Sequence, residues 1–209
     1  MRLILALMLL AGMAHAEGEP AGDFDYYVLS LSWSPNWCAL EGEARGSEQC
    51  GDTQDFGWIL HGLWPQYEQG WPSYCNTPAR DPYRAETGKM ADIMGTGGLA
   101  WHQWKKHGRC SGLTSRDYFD LSRSAYESVN RPKVLRKLTS SVTLPALLIE
   151  EAFLQSNPLW TADMITITCK RNHIQEARIC LTKDLSPRHC GQDVVRDCTS
   201  KNATFEPIN

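Results

Sequence analysis

The sequence predicts an α+β fold: a mostly antiparallel central sheet with packed helices, braced by disulfides. Two observations carry that reading. Strand-like segments at both ends of the chain enclose a central block with helical periodicity, an order typical of α+β domains. Eight cysteines, at positions 38, 50, 75, 110, 169, 180, 190 and 198, form an even set in a chain of 209 residues, as expected for an oxidising compartment.

The first sixteen residues place Arg2 before an unbroken apolar run and end on Ala14-His15-Ala16, the small-x-small form of a secretory signal. Residues 1–16 are expected to be removed, leaving 17–209 as one domain of ordinary size. The product is then secreted or periplasmic, without a membrane anchor. No later segment approaches the roughly twenty apolar residues a spanning helix needs, and no lipid-anchor cysteine follows the cleavage site.

Asp25 to Trp33 (DYYVLSLSW) alternates and is rich in β-branched and aromatic residues, so it reads as a strand. Phe56 to His61 (FGWILH) is apolar on both alternating faces, which predicts a central strand with His61 at its exit. A long Gly- and Pro-punctuated loop should follow, carrying Trp64, Tyr67, Trp71 and Tyr74. Helical periodicity runs over Leu99–His107, over Thr114–Asn130 with Thr114 or Ser115 as N-cap, and over Pro145–Gln155, with a short turn after Pro132. Met164–Lys170 and Ile174–Leu181 read as a late strand pair.

Composition narrows the function classes. The chain has 21 basic and 24 acidic residues, a mild acidity that argues against a non-specific coat on nucleic acid. An RNA partner would have to be gripped at a local site. The nearest cysteines, Cys190 and Cys198, are too far apart for a zinc knuckle, so no metal is expected there.

Two segments, FGWILHGLWPQ and WHQWKKHGRC, gather histidines beside tryptophans and a lysine. At about 100° per residue, His102, Gln103, Lys106 and His107 fall within an arc of about 140° on one helix face. Imidazoles that move protons beside an ammonium that stabilises an anion suit phosphoryl transfer. The alternative for any lone histidine is a solvated helix face over buried tryptophans. A zinc-protease motif is excluded, because it needs histidines four apart with glutamate after the first.

HGLWP at 61–65 and HQWKKHGRC at 102–110 closely resemble the two active-site segments of the ribonuclease T-two family, secreted acid endoribonucleases that include plant self-incompatibility ribonucleases. The resemblance implies a metal-free, cofactor-free enzyme acting on single-stranded RNA as a monomer. It makes His107 the general base for the ribose 2′-hydroxyl and His61 the general acid for the departing 5′-oxygen. His102 would hold the phosphate and Lys106 would stabilise the transition state. A 2′,3′-cyclic phosphate would form first and a 3′-phosphate second. Trp64 is the implied base-stacking residue, next to Gln66, with Tyr67 and Trp71 as further candidates for base binding. Gln103 departs from the family's usual glutamate and Gln66 from a frequent acidic residue, which bears on rate and base preference. The implied disulfides are Cys38–Cys50, Cys75–Cys110, Cys169–Cys198 and Cys180–Cys190. His173 and His189 are read as structural. The rival reading is a catalytically silent, secreted RNA-binding or signalling protein on the same fold.

Overall fold

A computed structural model describes residues 18–208; the leader expected at 1–16 lies outside them. Six strands form one sheet: β1 (Tyr26–Trp33), β2 (Trp58–Gln66), β3 (Val142–Leu144), β4 (Ile165–Lys170), β5 (His173–Leu181) and β6 (Ala203–Phe205). Six helices accompany them: α1 (Ser34–Trp37), α2 (Arg84–Gly88), α3 (Ala91–Met94), α4 (Gly97–Lys106), α5 (Ser115–Ser128) and α6 (Leu147–Ser156). The sheet runs β2-β1-β5-β6-β3, and β4 pairs with β5. All pairings are antiparallel except a single parallel contact of β5 with β6 at His173 and Thr204. The architecture is the α+β one the sequence predicts.

Alternation along β1 separates the two faces of the sheet. Tyr27, Leu29, Leu31 and Trp33 enter the main core with Trp104, Tyr118, Phe153 and Phe205. Tyr26 and Val28 pack on the opposite face with Cys180 and Val194. Burial of this many large apolar side chains, each contributing about 1.5–3 kcal/mol, holds the helical layer against one face; the other is partly covered by the smaller cluster and carries a cleft beside it.

Two expectations are corrected. β2 does not stop at His61 but continues to Gln66, and it lies at the sheet edge rather than the centre. Glycine and proline suggested a loop, yet an edge strand tolerates Pro65 because its missing N–H costs no ladder bond on the unpaired side. The strand is apolar on both faces because both are covered: Trp58 and Leu60 enter the main core, while Ile59 on the other face is also buried. β3 and β6, three residues each, were too short for periodicity to register.

The eight cysteines pair as Cys38–Cys50, Cys75–Cys110, Cys169–Cys198 and Cys180–Cys190, the set that the resemblance implies. Cys75–Cys110 ties the segment after β2 to the chain just beyond α4. Alongside it the Tyr74 amide donates to the Lys106 carbonyl at 2.9 Å.

Candidate active site

A break in register positions the first histidine. Ser30 pairs with Gly62 and Leu31 with Leu60, so His61 is the extra residue of a β-bulge. A bulge reverses the side-chain parity of the residues beyond it. Before it, Trp58 and Leu60 face the core; after it, Leu63 does. His61, Trp64 and Gln66 consequently share the opposite face and line one cleft of about 340 Å³.

The second wall comes from α4. Thr96 caps this helix, its hydroxyl accepting from the Leu99 amide at 3.1 Å. Ala100 and Trp104 anchor the buried side, where the Trp104 indole donates to Asp81 at 2.9 Å. His102, Gln103, Lys106 and His107 reach the same cleft as His61. His107 has left the helix, although its amide still donates to the Gln103 carbonyl at 2.9 Å. Gly108 permits the turn that follows, since a Cβ there would meet Trp104 at 2.7 Å and Tyr118 at 2.8 Å.

Trp64 occupies the centre of the cleft rather than an exposed loop. Its ring stacks on His107 with centroids 5.2 Å apart and meets His61 edge-on at 5.3 Å. Its N–H donates to Gln103 Oε1 at 2.7 Å. Trp71 is 51% exposed and also lines the cleft. Gln66 is buried, its amide donating to the Pro65 carbonyl at 3.1 Å. Tyr67 is placed elsewhere: the next residue along from Gln66, it packs its ring against the main core on the opposite face. His173 and His189 do not line the cleft; His189 pairs with Asp163 at 3.3 Å.

β5 contributes two residues that sequence reasoning missed, Glu176 and Arg178. Glu176 pairs in register with Ser32, and Arg178 with Ser30. These small serines leave space above β1 for side chains of β5 and β2 to meet. His61 Nδ1 lies 2.5 Å from Glu176 Oε1, and Arg178 Nε donates to Oε2 at 2.8 Å. The available signal was an acidic and a basic residue two apart, Glu176 and Arg178, on the same face of a segment that reads as a strand.

Electrostatics divides the imidazoles. Burial, reinforced by the positive neighbours Lys106, His61 and His102, lowers the His107 pKa well below the usual histidine range. His102, more exposed, is lowered by partial burial and by Lys106 and His61. Burial pushes Glu176 upward, but its bonds to His61 and Arg178 outweigh that and hold its pKa at about 2. Lys106 forms no ion pair among the described residues, leaving its charge available to an anion.

One face of the disulfide-braced α+β sheet thus gathers three imidazoles, an ammonium, an indole and a buried carboxylate in a single cleft, groups chemically able to exchange protons beside an anion. The Ribonuclease T2 family profile matches residues 24–190. A ribonuclease of Aeromonas hydrophila is 40% identical over 151 residues, covering 69% of this chain and 67% of that protein. A probable ribonuclease of Haemophilus influenzae is 30% identical over 130 residues, covering 56% and 48%. This chain therefore spans about two thirds and about half of those relatives' lengths. The ribonuclease-related protein of Calystegia sepium superposes with a TM-score of 0.70 at 20% identity, over 90% of this chain and 99% of that one. The chain belongs to the Ribonuclease T2 family, a family of endoribonucleases. No described helix is long and apolar enough to cross a membrane.

Proposed function

We propose that this protein is an exported, monomeric endoribonuclease, residues 17–209 after removal of 1–16, that cleaves single-stranded RNA without metal or cofactor. The observation that carries the reading is the pairing of unlike histidines around Trp64: His107 buried and biased towards neutral, His61 held by an ionised glutamate.

His107 takes the proton of the ribose 2′-hydroxyl. The 2′-oxygen attacks phosphorus, the bond to the 5′-oxygen breaks, and that oxygen takes a proton from His61. The products are a 2′,3′-cyclic phosphate and a free 5′-hydroxyl. With roles exchanged, water opens the ring to a 3′-phosphate. His102 holds a phosphate oxygen, and Lys106 offsets the added negative charge of the pentacovalent state. The substrate supplies its own nucleophile, so DNA, lacking the 2′-hydroxyl, is not cut.

Trp64, Gln66 and Trp71 form the wall for an unpaired base. Stacking on an exposed indole such as Trp71 contributes about 1–3 kcal/mol and favours RNA whose bases can splay out. A catalytically silent RNA-binding protein would not require His61, His102, Lys106 and His107 together in one cleft.

The test is cleavage of a short single-stranded RNA in excess chelator, beside the matching DNA and the His61→Ala and His107→Ala variants. Cyclic phosphate ends from RNA alone, lost in both variants, are expected. No cleavage by pure wild type between about pH 4 and 8, where histidines titrate, would favour the silent binder; loss on chelation would favour a metal-dependent enzyme.

A further inference from the structure

We propose that Glu176 is a positioning residue for His61: it fixes the ring with Nδ1 turned into the sheet and Nε2 presented to the leaving oxygen, and it supports the protonated ring. The inference rests on the reading of His61 as the general acid. Glu176 is 1% exposed, and both its oxygens are engaged, Oε1 by His61 Nδ1 at 2.5 Å and Oε2 by Arg178 at 2.6–2.8 Å. A carboxylate accepts hydrogen bonds and donates none, so Nδ1 must carry the hydrogen. The opposite nitrogen, Nε2, is then the one left for the substrate.

The sheet has no need of this carboxylate. Ile174, Ala177 and Ile179 on the same strand are fully buried apolar residues, and replacing a buried ion pair by apolar side chains is often neutral or stabilising. What the carboxylate offers is orientation and charge. A buried carboxylate behind a catalytic imidazole selects its tautomer and stabilises the imidazolium without taking the proton itself. Arg178 holds the far oxygen and lies over the Trp64 ring at 5.4 Å, so the chain Arg178–Glu176–His61 closes on the indole that His107 also touches.

Other charged groups face the pair. His102 and Lys106 from α4, His107 beyond it and Asp193 share the cleft. On the other side Glu41, Arg45 and Lys170 line an adjoining pocket that also contains His61 and Glu176. Glu176 is the acidic group among these in direct contact with the ring.

The pair can be tested with and without catalysis. Imidazole nitrogen resonances of wild-type His61, followed from acid to alkaline pH, should show Nδ1 protonated throughout; a neutral form carrying its hydrogen on Nε2 would overturn the proposal. In Glu176→Gln the amide can donate to Nδ1 and disfavours the doubly protonated ring. Its kcat should fall about 100-fold near neutrality, recover in part on acidification and leave KM little changed, so the alkaline limb of the pH profile moves to lower pH. His61→Ala should show no such recovery. If Glu176→Gln folds and keeps the wild-type profile while His61→Ala is inactive, the positioning role fails and the acid assignment stands. If His61→Ala is active, the acid assignment fails, and the resonances still decide whether Glu176 sets the tautomer.

Discussion

The Trp64 indole donates to Gln103 Oε1 directly over the backbone of Gly62. A Cβ on residue 62 would lie 2.3 Å from both the donor nitrogen and the acceptor oxygen, closer than any packed pair of heavy atoms can sit. Gly62→Ala should therefore break the Trp64–Gln103 bond and displace the ring that stacks on His107. Overpacking of this kind costs about 1–3 kcal/mol. The expected outcome is a folded variant whose kcat falls at least tenfold, measured beside its denaturant midpoint. Wild-type turnover at unchanged stability would mean that the indole is free to move.

This contact also marks where the sequence stopped being informative. The helix face carrying His102, Gln103 and Lys106 follows from spacing alone, because helical geometry fixes which residues share a side; His107, one residue past the helix end, reaches the same cleft. The strands β1, β4 and β5 were legible through alternation and β-branched content. The bulge at His61 was not, since one extra residue in a strand is specified by pairing with β1 rather than by local composition. Without it the strand was ended at His61 and Trp64 was placed in a loop, whereas the strand runs on to Gln66. Glu176 was hidden for a related reason: a carboxylate at an alternate position reads as solvent-facing unless both neighbouring strands are known. Tyr67 looked equivalent to Trp71 in sequence, and only the continuation of β2 to Gln66 assigns the two to different surroundings.

Gln103 is 2% exposed and accepts from Trp64, a role a carboxylate can also fill. Gln103→Glu would add a buried negative charge to a cleft containing His102, Lys106 and His107. An opposite charge nearby favours the protonated imidazole, so it would counter the lowering of His107 by burial and positive neighbours. A general base must begin unprotonated. The acidic limb of kcat/KM should therefore move to higher pH in Gln103→Glu, with activity retained above it. A limb that stays in place or moves to lower pH would show that His107 is not the group titrating there.

Glu150 of α6 governs stability rather than chemistry. It is 7% exposed, and no hydrogen bond or ion pair to its carboxyl is found among the described residues. Burial, with Asp197 and Glu151 nearby, raises its pKa to about 7, against an ordinary unfolded value of about 4.3. Between these values the folded state holds a proton that the unfolded chain has released, so stability falls as pH rises through this window. The penalty is fully present above about pH 7 and absent below about 4.3, and its size is at most about 3–4 kcal/mol, reduced by solvent screening of the partly accessible carboxyl. Glu150→Gln keeps the shape and removes the ionisation. Its urea midpoint should exceed that of wild type above neutrality and converge with it in acid, flattening the pH dependence over the window. Wild-type stability that stays level from pH 4 to 8 would sink this account. A carboxyl placed so that the protein is firmest in mild acid matches the range in which one histidine of the cleft can be neutral while the other is charged.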